Sequence, residues 1–306
     1  MFNTMSSFFV SGLINIETTV QVEGFPIAYT PVRYPFFGVR STVSGVGYNL
    51  TKALTTLGNT VRFASLIGRD ALGTLVQQQL DAEGLPAAHV LVQLDSTPQS
   101  AILYDPSGQR MINTDLKDIQ EQPYPLALFE RAIDGCAMAV LCNINFSRPM
   151  LAQARARRIP IATDVHTISD LDDAYNRDFM AAADILFMSH ERLPCAPEIW
   201  VQQLQARYGT PIIVVGLGAA GALLGVRAHG FLERFPAVQI RPVVNTIGAG
   251  DALFAAFIDD YARSHNPYEA LRRAITFAAY KIGAVGAAEG FLDAPALDAL
   301  YTRSTP

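Results

Sequence analysis

Charged residues are scarce in this chain of 306 residues, and lysines are rarer still. Only 17% of the residues are charged and the formal net charge is −5, so we expect neither a nucleic-acid partner nor a membrane surface, both of which favour a basic face. The only lysines are Lys52, Lys117 and Lys281, and the sequence Gly-x-x-x-x-Gly-Lys does not occur. A P-loop nucleotide site is therefore excluded.

Cysteines and long apolar runs are also few. Cys136, Cys142 and Cys195 have no metal-ligand spacing and cannot all pair, so we interpret them as reduced thiols of a cytoplasmic protein. The longest apolar stretch, residues 211–226, contains four glycines and is too short to span a membrane. The apolar start at residues 1–11 has no basic segment, so we predict a first strand there and not a signal peptide.

Hydrophobic residues make up 50% of the chain, which is enough for a large core. Short apolar runs alternate with helical patterns along most of its length, and residues 249–285 are mostly helical in pattern. This alternation predicts an α/β fold with a parallel sheet covered by helices on both faces. The predicted strands cover residues 8–16, 60–67, 139–144, 159–165, 183–187 and 211–215, and the predicted helices cover residues 50–57, 70–83, 148–157 and 198–208.

Two segments interrupt the alternation. Residues 17–44 are rich in aromatic, proline and β-branched residues and have no helical period. Residues 98–114 have the pattern of a hairpin with a turn at residues 105–108. We predict one domain over residues 1–306, in which these two segments form a small β-sheet lid.

The sequence Gly248-Ala249-Gly250-Asp251 precedes an apolar helical pattern and is the most informative motif. Small residues let the backbone approach a ligand closely, and free N–H groups at a helix start attract anions. Such a turn could stabilise a phosphoryl group in transfer, while Asp251 accepts the proton of an attacking hydroxyl. From these residues alone, a helix-capping Asp after a flexible turn is equally open.

The longer stretch from Asn245 to Asp251, Asn-Thr-Ile-Gly-Ala-Gly-Asp, resembles the C-terminal signature of the ribokinase-like (PfkB) carbohydrate kinase family, Asp-Thr-x-Gly-Ala-Gly-Asp. Other segments resemble the family's motifs in the same order along the chain. They are Gly-Leu-Ile-Asn-Ile-Glu at residues 12–17, Ser-Gly-Val-Gly-Tyr-Asn at residues 44–49, Gly-Arg-Asp at residues 68–70 and Leu-Gly-Ala-Ala-Gly at residues 217–221.

The resemblance implies a ribokinase-like three-layer α/β/α sandwich with a mostly parallel central sheet and a small β-sheet lid. It also implies ATP with Mg²⁺ and phosphoryl transfer to a hydroxyl of a small sugar. Asp251 would be the general base, and the backbone of Gly248, Ala249 and Gly250 would complete the anion hole with it. The implied acceptor-binding residues are Asn15, Glu17, Gly45, Gly47 and Asn49, and the implied ATP-binding residues are Gly216, Gly218, Gly221, Asn245 and Thr246.

The sequence departs from the family pattern in its metal-handling segment. Where the family has Asn-x-x-Glu, this chain has Ser189-His190-Glu191-Arg192. Glu191 could reach a metal ion and Arg192 a phosphate, or both could be solvated residues at a helix start. Asn245 replaces an Asp that often helps a monovalent-cation site, so K⁺ stays open as a further cofactor. Asp164 and His166 could bind metal, although a structural role or a place near the substrate is the more common reason for such a pair.

Several alternatives remain. A dinucleotide-binding fingerprint at residues 216–221 is disfavoured, because no long helix and no suitably placed acidic residue follow it. A nucleoside kinase of the same family is open, and so is a catalytically weak homologue that senses sugar or ATP. Arg33, Arg40 and Arg110 could serve a phosphorylated acceptor. The aromatic residues of the lid could stack on a nucleobase or form a lid-to-lid homodimer: Tyr29, Tyr34, Phe36 and Phe37.

Overall fold

The computed structural model describes residues 5–304, so the outermost residues of the predicted 1–306 domain, 1–4 and 305–306, lie outside the described part. In chain order the strands are β1 Ser7–Ser11, β2 Asn15–Gln21, β3 Val39–Ser44, β4 Thr60–Gly68, β5 His89–Leu94, β6 Gln99–Tyr104, β7 Arg110–Asp115, β8 Met138–Leu141, β9 Ile161–Thr167, β10 Ile185–Ser189, β11 Ile212–Gly216, β12 Ala222–Val226 and β13 Phe231–Phe235. The α-helices are α1 Val46–Thr56, α2 Ala71–Ala82, α3 Leu126–Ala132, α4 Arg148–Ala156, α5 Arg177–Ala182, α6 Pro197–Tyr208, α7 Ala249–Ser264, α8 Pro267–Lys281 and α9 Ala294–Ser304.

Nine of the described strands form one large sheet in the order β13-β12-β11-β10-β9-β8-β1-β4-β5. The strands from β11 to β5 run parallel, whereas β12 and β13 add antiparallel pairs at one edge. Strand β1 lies between β8 and β4, and its residues Phe8, Phe9 and Val10 are fully buried. A strand covered on both faces is expected to be apolar throughout.

Helices cover both faces of this sheet. Side chains of α1, α2, α7 and α8 belong to one hydrophobic cluster, which also contains Phe8 and Val10 of β1. Side chains of α3, α4, α5 and α6 belong to a second cluster, which contains Phe9 of the same strand. Neighbouring residues of one strand thus point into different cores, which is the pleat of a strand between two layers. The predicted three-layer sandwich with a mostly parallel sheet is confirmed.

Four strands form a separate smaller sheet in the order β3-β2-β6-β7. Strand β2 pairs antiparallel with β3 and parallel with β6, and β6 and β7 form the predicted hairpin. Residues 22–38, between β2 and β3, contain no helix or strand.

The prediction of one continuous strand over residues 8–16 is wrong. The chain leaves the large sheet after Ser11 and begins β2 of the smaller sheet at Asn15. The carbonyl of Leu13 accepts hydrogen bonds from Gly47 N–H (3.0 Å) and Tyr48 N–H (3.3 Å), so the start of α1 takes the place of a strand partner. This contact requires glycine, because a Cβ on Gly47 would lie 2.6 Å from the carbonyl carbon of Gly12.

Among residues 5–304, no helix is both long enough and apolar enough to cross a membrane.

Candidate active site

Asp251 lies in the first turn of α7, as the sequence predicts. The preceding turn is made by Gly248, which has a left-handed backbone with φ of 75°. A Cβ at this position would also lie 2.4 Å from the carbonyl oxygen of Ala287. Only glycine therefore allows the chain to enter α7 at this angle and this close to the segment after α8.

The N–H groups at the start of α7 divide into bonded and free ones. Ala249 N–H donates to the Thr246 carbonyl (3.2 Å), and Ala252 N–H donates to the Gly248 carbonyl (3.0 Å). For the N–H groups of Gly250 and Asp251, the described part of the chain provides no acceptor. Two adjacent free donors at a helix N-terminus form an anion-binding position.

A chain of polar contacts links Asp251 to the smaller sheet. Asn49 of α1 donates from Nδ2 to Oδ2 of Asp251 at 2.6 Å. The hydroxyl oxygen of Ser44 lies 3.4 Å from Oδ1 of Asn49 and 3.1 Å from Oε2 of Glu17, so its single proton serves one of these two acceptors at a time. The structure therefore brings together three residues that the sequence predicts for the site, from β2, α1 and α7.

Two buried oxygens beside this chain of contacts accept no hydrogen bond from residues 5–304. Asn15 donates from Nδ2 to Oγ of Ser100 at 2.6 Å, but its Oδ1 is buried and accepts no hydrogen bond from the described residues. Oε1 of Glu17 is also buried and without a donor there. An unpaired buried acceptor costs about 1–3 kcal/mol, which a donor such as a ligand hydroxyl would recover. The predicted residues Gly45 and Gly47 lie beside them at the start of α1, with Gly45 as its N-cap.

Two carboxyl groups in this region have a pKa above the usual value. Burial raises the pKa of Asp251, against the hydrogen bond from Asn49, which lowers it. Asp251 nevertheless keeps part of its surface exposed to solvent. Burial likewise raises the pKa of Glu17, and the hydrogen bond from Ser44 opposes this shift. A carboxylate whose pKa is raised is a stronger base than a free one, which suits proton abstraction.

Lys281 is a residue of this region that the sequence analysis did not single out. It ends α8, has 0% of its surface exposed, and donates from Nζ to the carbonyl of Ile247, directly before the Gly248 turn. Burial lowers the pKa of its ammonium group to about 8, against the attraction of the carboxylates of Asp251 and Glu17. The helical periodicity of α8 could have predicted that Lys281 is buried, because it follows Ala270, Ala274 and Phe277 on the same face of the helix.

Asp164 is the middle residue of β9 and His166 is next to its last residue, and both act electrostatically on the Asp251 carboxyl group. Oδ1 of Asp164 accepts a hydrogen bond from the backbone N–H of His166 at 2.7 Å. His166 has a left-handed backbone with φ of 56°, which is strained for a residue other than glycine. The pair therefore borders the candidate site, close to the Asp251 carboxyl group.

The predicted ATP-binding residues fall in two places. Gly216, Gly218 and Gly221 lie in or beside the turn between β11 and β12. Asn245 is buried, accepts from Ile247 N–H at 3.0 Å and donates to the Val285 carbonyl at 2.7 Å, so both ends of its side chain are bound within the protein. Thr246 accepts a hydrogen bond from Arg110 of β7 at 2.7 Å.

Glu191 lies in a single 3₁₀ turn, His190–Arg192, directly after β10. Its carboxylate is 3.9 Å from the guanidinium of Arg110 and more than half exposed. Within residues 5–304 no group of three or more metal-binding side chains is present. Mg²⁺ is commonly held by one or two carboxylates together with substrate phosphates, and Glu191, directly after β10, and Asp164, in the neighbouring strand β9, are side chains of the kind that this ion takes.

The three arginines considered for a phosphorylated acceptor are engaged with other residues. Arg40 forms a two-pronged ion pair with Glu289. Arg110 contacts Thr246 and Glu191, and Arg33 lies 4.0 Å from Glu23. Arg40 and Arg110 therefore join the smaller sheet to segments beside α7 and β10, and neither is a free anion-binding group in this structure.

Nearly the whole chain is similar to known proteins. Residues 5–294 match the family model described as pfkB family carbohydrate kinase. Acarbose 7(IV)-phosphotransferase of an Actinoplanes species is 25% identical over 292 residues, which are 94% of this chain and 96% of that protein. A microbiome-derived acarbose kinase superposes with a TM-score of 0.87 and 27% identity, and the match covers 98% of this chain and 99% of that one. A Burkholderia thailandensis nucleoside kinase solved with inosine superposes with a TM-score of 0.79 at 19% identity, covering 98% of each chain, and supports the fold alone.

Proposed function

Because this chain belongs to the pfkB family of carbohydrate kinases, we propose that it transfers the terminal phosphoryl group of ATP to a hydroxyl of a small sugar. The observation that carries the proposal is the position of Asp251. Its carboxylate accepts the 2.6 Å hydrogen bond from Asn49. Asp251 also lies in the helical turn whose N–H groups, those of Gly250 and Asp251, have no acceptor in the described part of the chain. A base and an anion-binding position thus occur side by side, as phosphoryl transfer to an alcohol requires.

In this proposal the acceptor oxygen forms a bond to the terminal phosphorus of ATP, and the bond from that phosphorus to the bridging oxygen of ADP breaks. Asp251 accepts the proton that the hydroxyl loses. The free N–H groups of Gly250 and Asp251 donate to the phosphoryl oxygens. Ala249 was predicted to donate as well, but its N–H is bound to Thr246, so we assign two donors to the anion hole.

The acceptor site in this proposal is lined by Asn15, Glu17 and Asn49 beside the backbone of Gly45 and Gly47. The unpaired oxygens of Asn15 and Glu17 support it, because they require donors and sugar hydroxyls supply them. The nucleotide would lie toward Gly216, Gly218, Gly221 and Thr246. When Mg²⁺ is bound, it neutralises charge on the phosphates, and Glu191 and Asp164 are the carboxylates that would hold it.

A nucleoside kinase is the second candidate. It is favoured by exposed aromatic side chains in residues 22–38, where Tyr29 is 91% exposed and Phe36 is 82% exposed, because such rings can stack on a nucleobase. The same patch would suit a homodimer through the smaller sheet, which sedimentation analysis of a Tyr29→Ser, Phe36→Ser variant would test. That the protein is cytoplasmic remains a prediction from the sequence.

The test is a coupled assay of ADP release with Mg²⁺ and ATP against sugars, oligosaccharides, sugar phosphates and nucleosides. We expect turnover on sugars or oligosaccharides, and turnover about 10³-fold slower from Asp251→Asn. Turnover confined to nucleosides would replace the sugar assignment with the second candidate. ATP binding without turnover on any acceptor would leave the weak homologue that only senses its ligands.

A further inference from the structure

The carbonyl of Ile247 is held by a charged side chain from another helix. Ile247 directly precedes Gly248, and its oxygen accepts a hydrogen bond from Nζ of Lys281. The lysine is one of only three in the chain and is fully buried. The other two lie elsewhere: Lys52 pairs with Glu83, and Lys117 pairs with Asp115.

The segment around Ile247 is attached to the end of α8 at several further points. The backbone N–H groups of Val244 and Asn245 donate to the Ile282 carbonyl at 2.9 and 3.3 Å. The amide of Asn245 donates to the Val285 carbonyl, and Gly248 packs against the backbone of Ala287. Lys281 therefore lies at the base of the turn that precedes Asp251, within an otherwise neutral set of backbone contacts.

Charged groups from four other parts of the chain act on Lys281. Asp251 of α7, Glu17 of β2 and Glu289 after α8 favour the ammonium form, and Arg110 of β7 opposes it. A buried ammonium is expensive, and an apolar side chain of similar volume in its place is often neutral or stabilising. A charge kept at this cost, beside a base and an anion-binding turn, indicates a role in the reaction.

Resting on the proposed function, we propose that the ammonium of Lys281 is a positioning group, which fixes the Gly248–Asp251 turn through the Ile247 carbonyl and supplies beneath it a positive charge that is covalently part of the chain. Bound to that carbonyl, the ammonium fills the place that a dissociable monovalent cation would otherwise take. The enzyme is therefore independent of K⁺. The positive charge also favours the ionised form of Asp251 and the negative charge that develops at the turn during transfer.

The experiment compares wild type with Lys281→Met, which removes the charge and keeps the volume, and Lys281→Ala, which leaves a cavity. Lys117→Met is the matched control, because it removes a lysine that pairs with Asp115 and has no described contact with the Gly248–Asp251 turn. We expect wild-type kcat to be equal in potassium and tetramethylammonium buffers of the same ionic strength. We expect kcat of Lys281→Met to fall about 100-fold. Lys281→Ala should regain part of its activity with added K⁺, ammonium or methylammonium.

The pH profile distinguishes positioning from a merely structural role. The alkaline limb of wild-type kcat should lie near pH 8, where Lys281 loses its proton, and should be absent in Lys281→Met. The acid limb of Lys281→Met should move to higher pH, because Asp251 loses the charge that lowers its pKa. A folded Lys281→Met with wild-type kcat and pH profile would overturn the proposal, and so would a wild-type enzyme that needs K⁺.

The two proposals fail in different ways. If wild type turns over no acceptor, the proposal that Lys281 positions the turn can still be tested. The test compares the affinities of wild type and Lys281→Met for an ATP analogue. Binding weakened about tenfold in the variant supports the positioning of the turn, and equal binding overturns it. A wild-type protein that binds no ATP would overturn both.

Discussion

Asn49 donates a 2.6 Å hydrogen bond to the carboxylate of Asp251, and this bond joins two helices whose sequences are separated by about 200 residues. Asn49 also lies 3.4 Å from the hydroxyl of Ser44, which in turn contacts Glu17. The proposed base is therefore oriented from the acceptor side of the site. An acceptor hydroxyl that approaches Asp251 would compete with the amide of Asn49 for the same carboxylate. The hydrogen bond between Asn49 and Asp251 should therefore change when an acceptor binds.

We predict that Asp251→Asn lowers kcat by about 10³-fold, because general-base catalysis commonly contributes 10²- to 10⁴-fold. Affinity for ATP should change little, since the backbone N–H groups of the turn remain. Steady-state kinetics together with calorimetric ATP titration measure the two effects. Asp95→Asn, which alters a carboxylate on the surface, is the control. A variant with kcat within a few-fold of wild type would remove Asp251 from the role of base.

We predict that Asn49→Ala raises the pKa of Asp251, because the hydrogen bond that it removes lowers that pKa. Asp251 acts as a base only when it is ionised, so the acid limb of the kcat profile should move to higher pH. At neutral pH the loss in kcat should be modest, about tenfold. An acid limb that stays in place would contradict the assignment of Asn49 as the residue that orients the base.

We predict that Glu17→Gln weakens the acceptor and leaves ATP unaffected. The free oxygen Oε1 of Glu17 can accept a hydrogen bond from a substrate hydroxyl. An amide nitrogen of glutamine in its place can donate a hydrogen bond but cannot accept one. KM for the acceptor should rise about 10- to 100-fold, in line with about 1–3 kcal/mol for a lost buried contact. Initial rates with each substrate varied in turn separate the two KM values. An increase in KM for ATP alone would contradict the acceptor assignment.

Most of the parallel part of the large sheet could be predicted from the sequence, because several of its strands are apolar throughout and its helices are periodic. The break between β1 and β2 could not, because Gly12, Leu13 and Ile14 continue the apolar pattern and only the contact with Gly47 reveals the turn. Strands β12 and β13 were missed for a related reason. The glycines at residues 216–221 predict a turn, but not the antiparallel return of the chain against β11.

The candidate site could be predicted only as far as its local motif. Asp251 and the start of α7 follow from Gly-Ala-Gly-Asp, whereas the contact with Asn49 depends on how two distant helices pack. Lys281 was overlooked because a lysine near a helix end is usually solvated. Its burial can be predicted only when its position on α8 is compared with the positions of the apolar residues on the same face.

The free energy of unfolding should depend on pH, and the sign of this dependence follows from the lowered pKa of Lys281. Unfolding returns this lysine from about 8 to its usual 10.5, so between these values the unfolded chain binds more protons than the folded one. Stability therefore rises with pH through this window, and the cost of the buried charge, about 3 kcal/mol, is present below pH 8 and relieved above it. We expect urea unfolding at pH 7, 8, 9 and 10 to show wild type gaining about this much relative to Lys281→Met, while Lys117→Met follows wild type. A constant difference between wild type and Lys281→Met across this range would mean that Lys281 keeps its ordinary pKa in the folded protein.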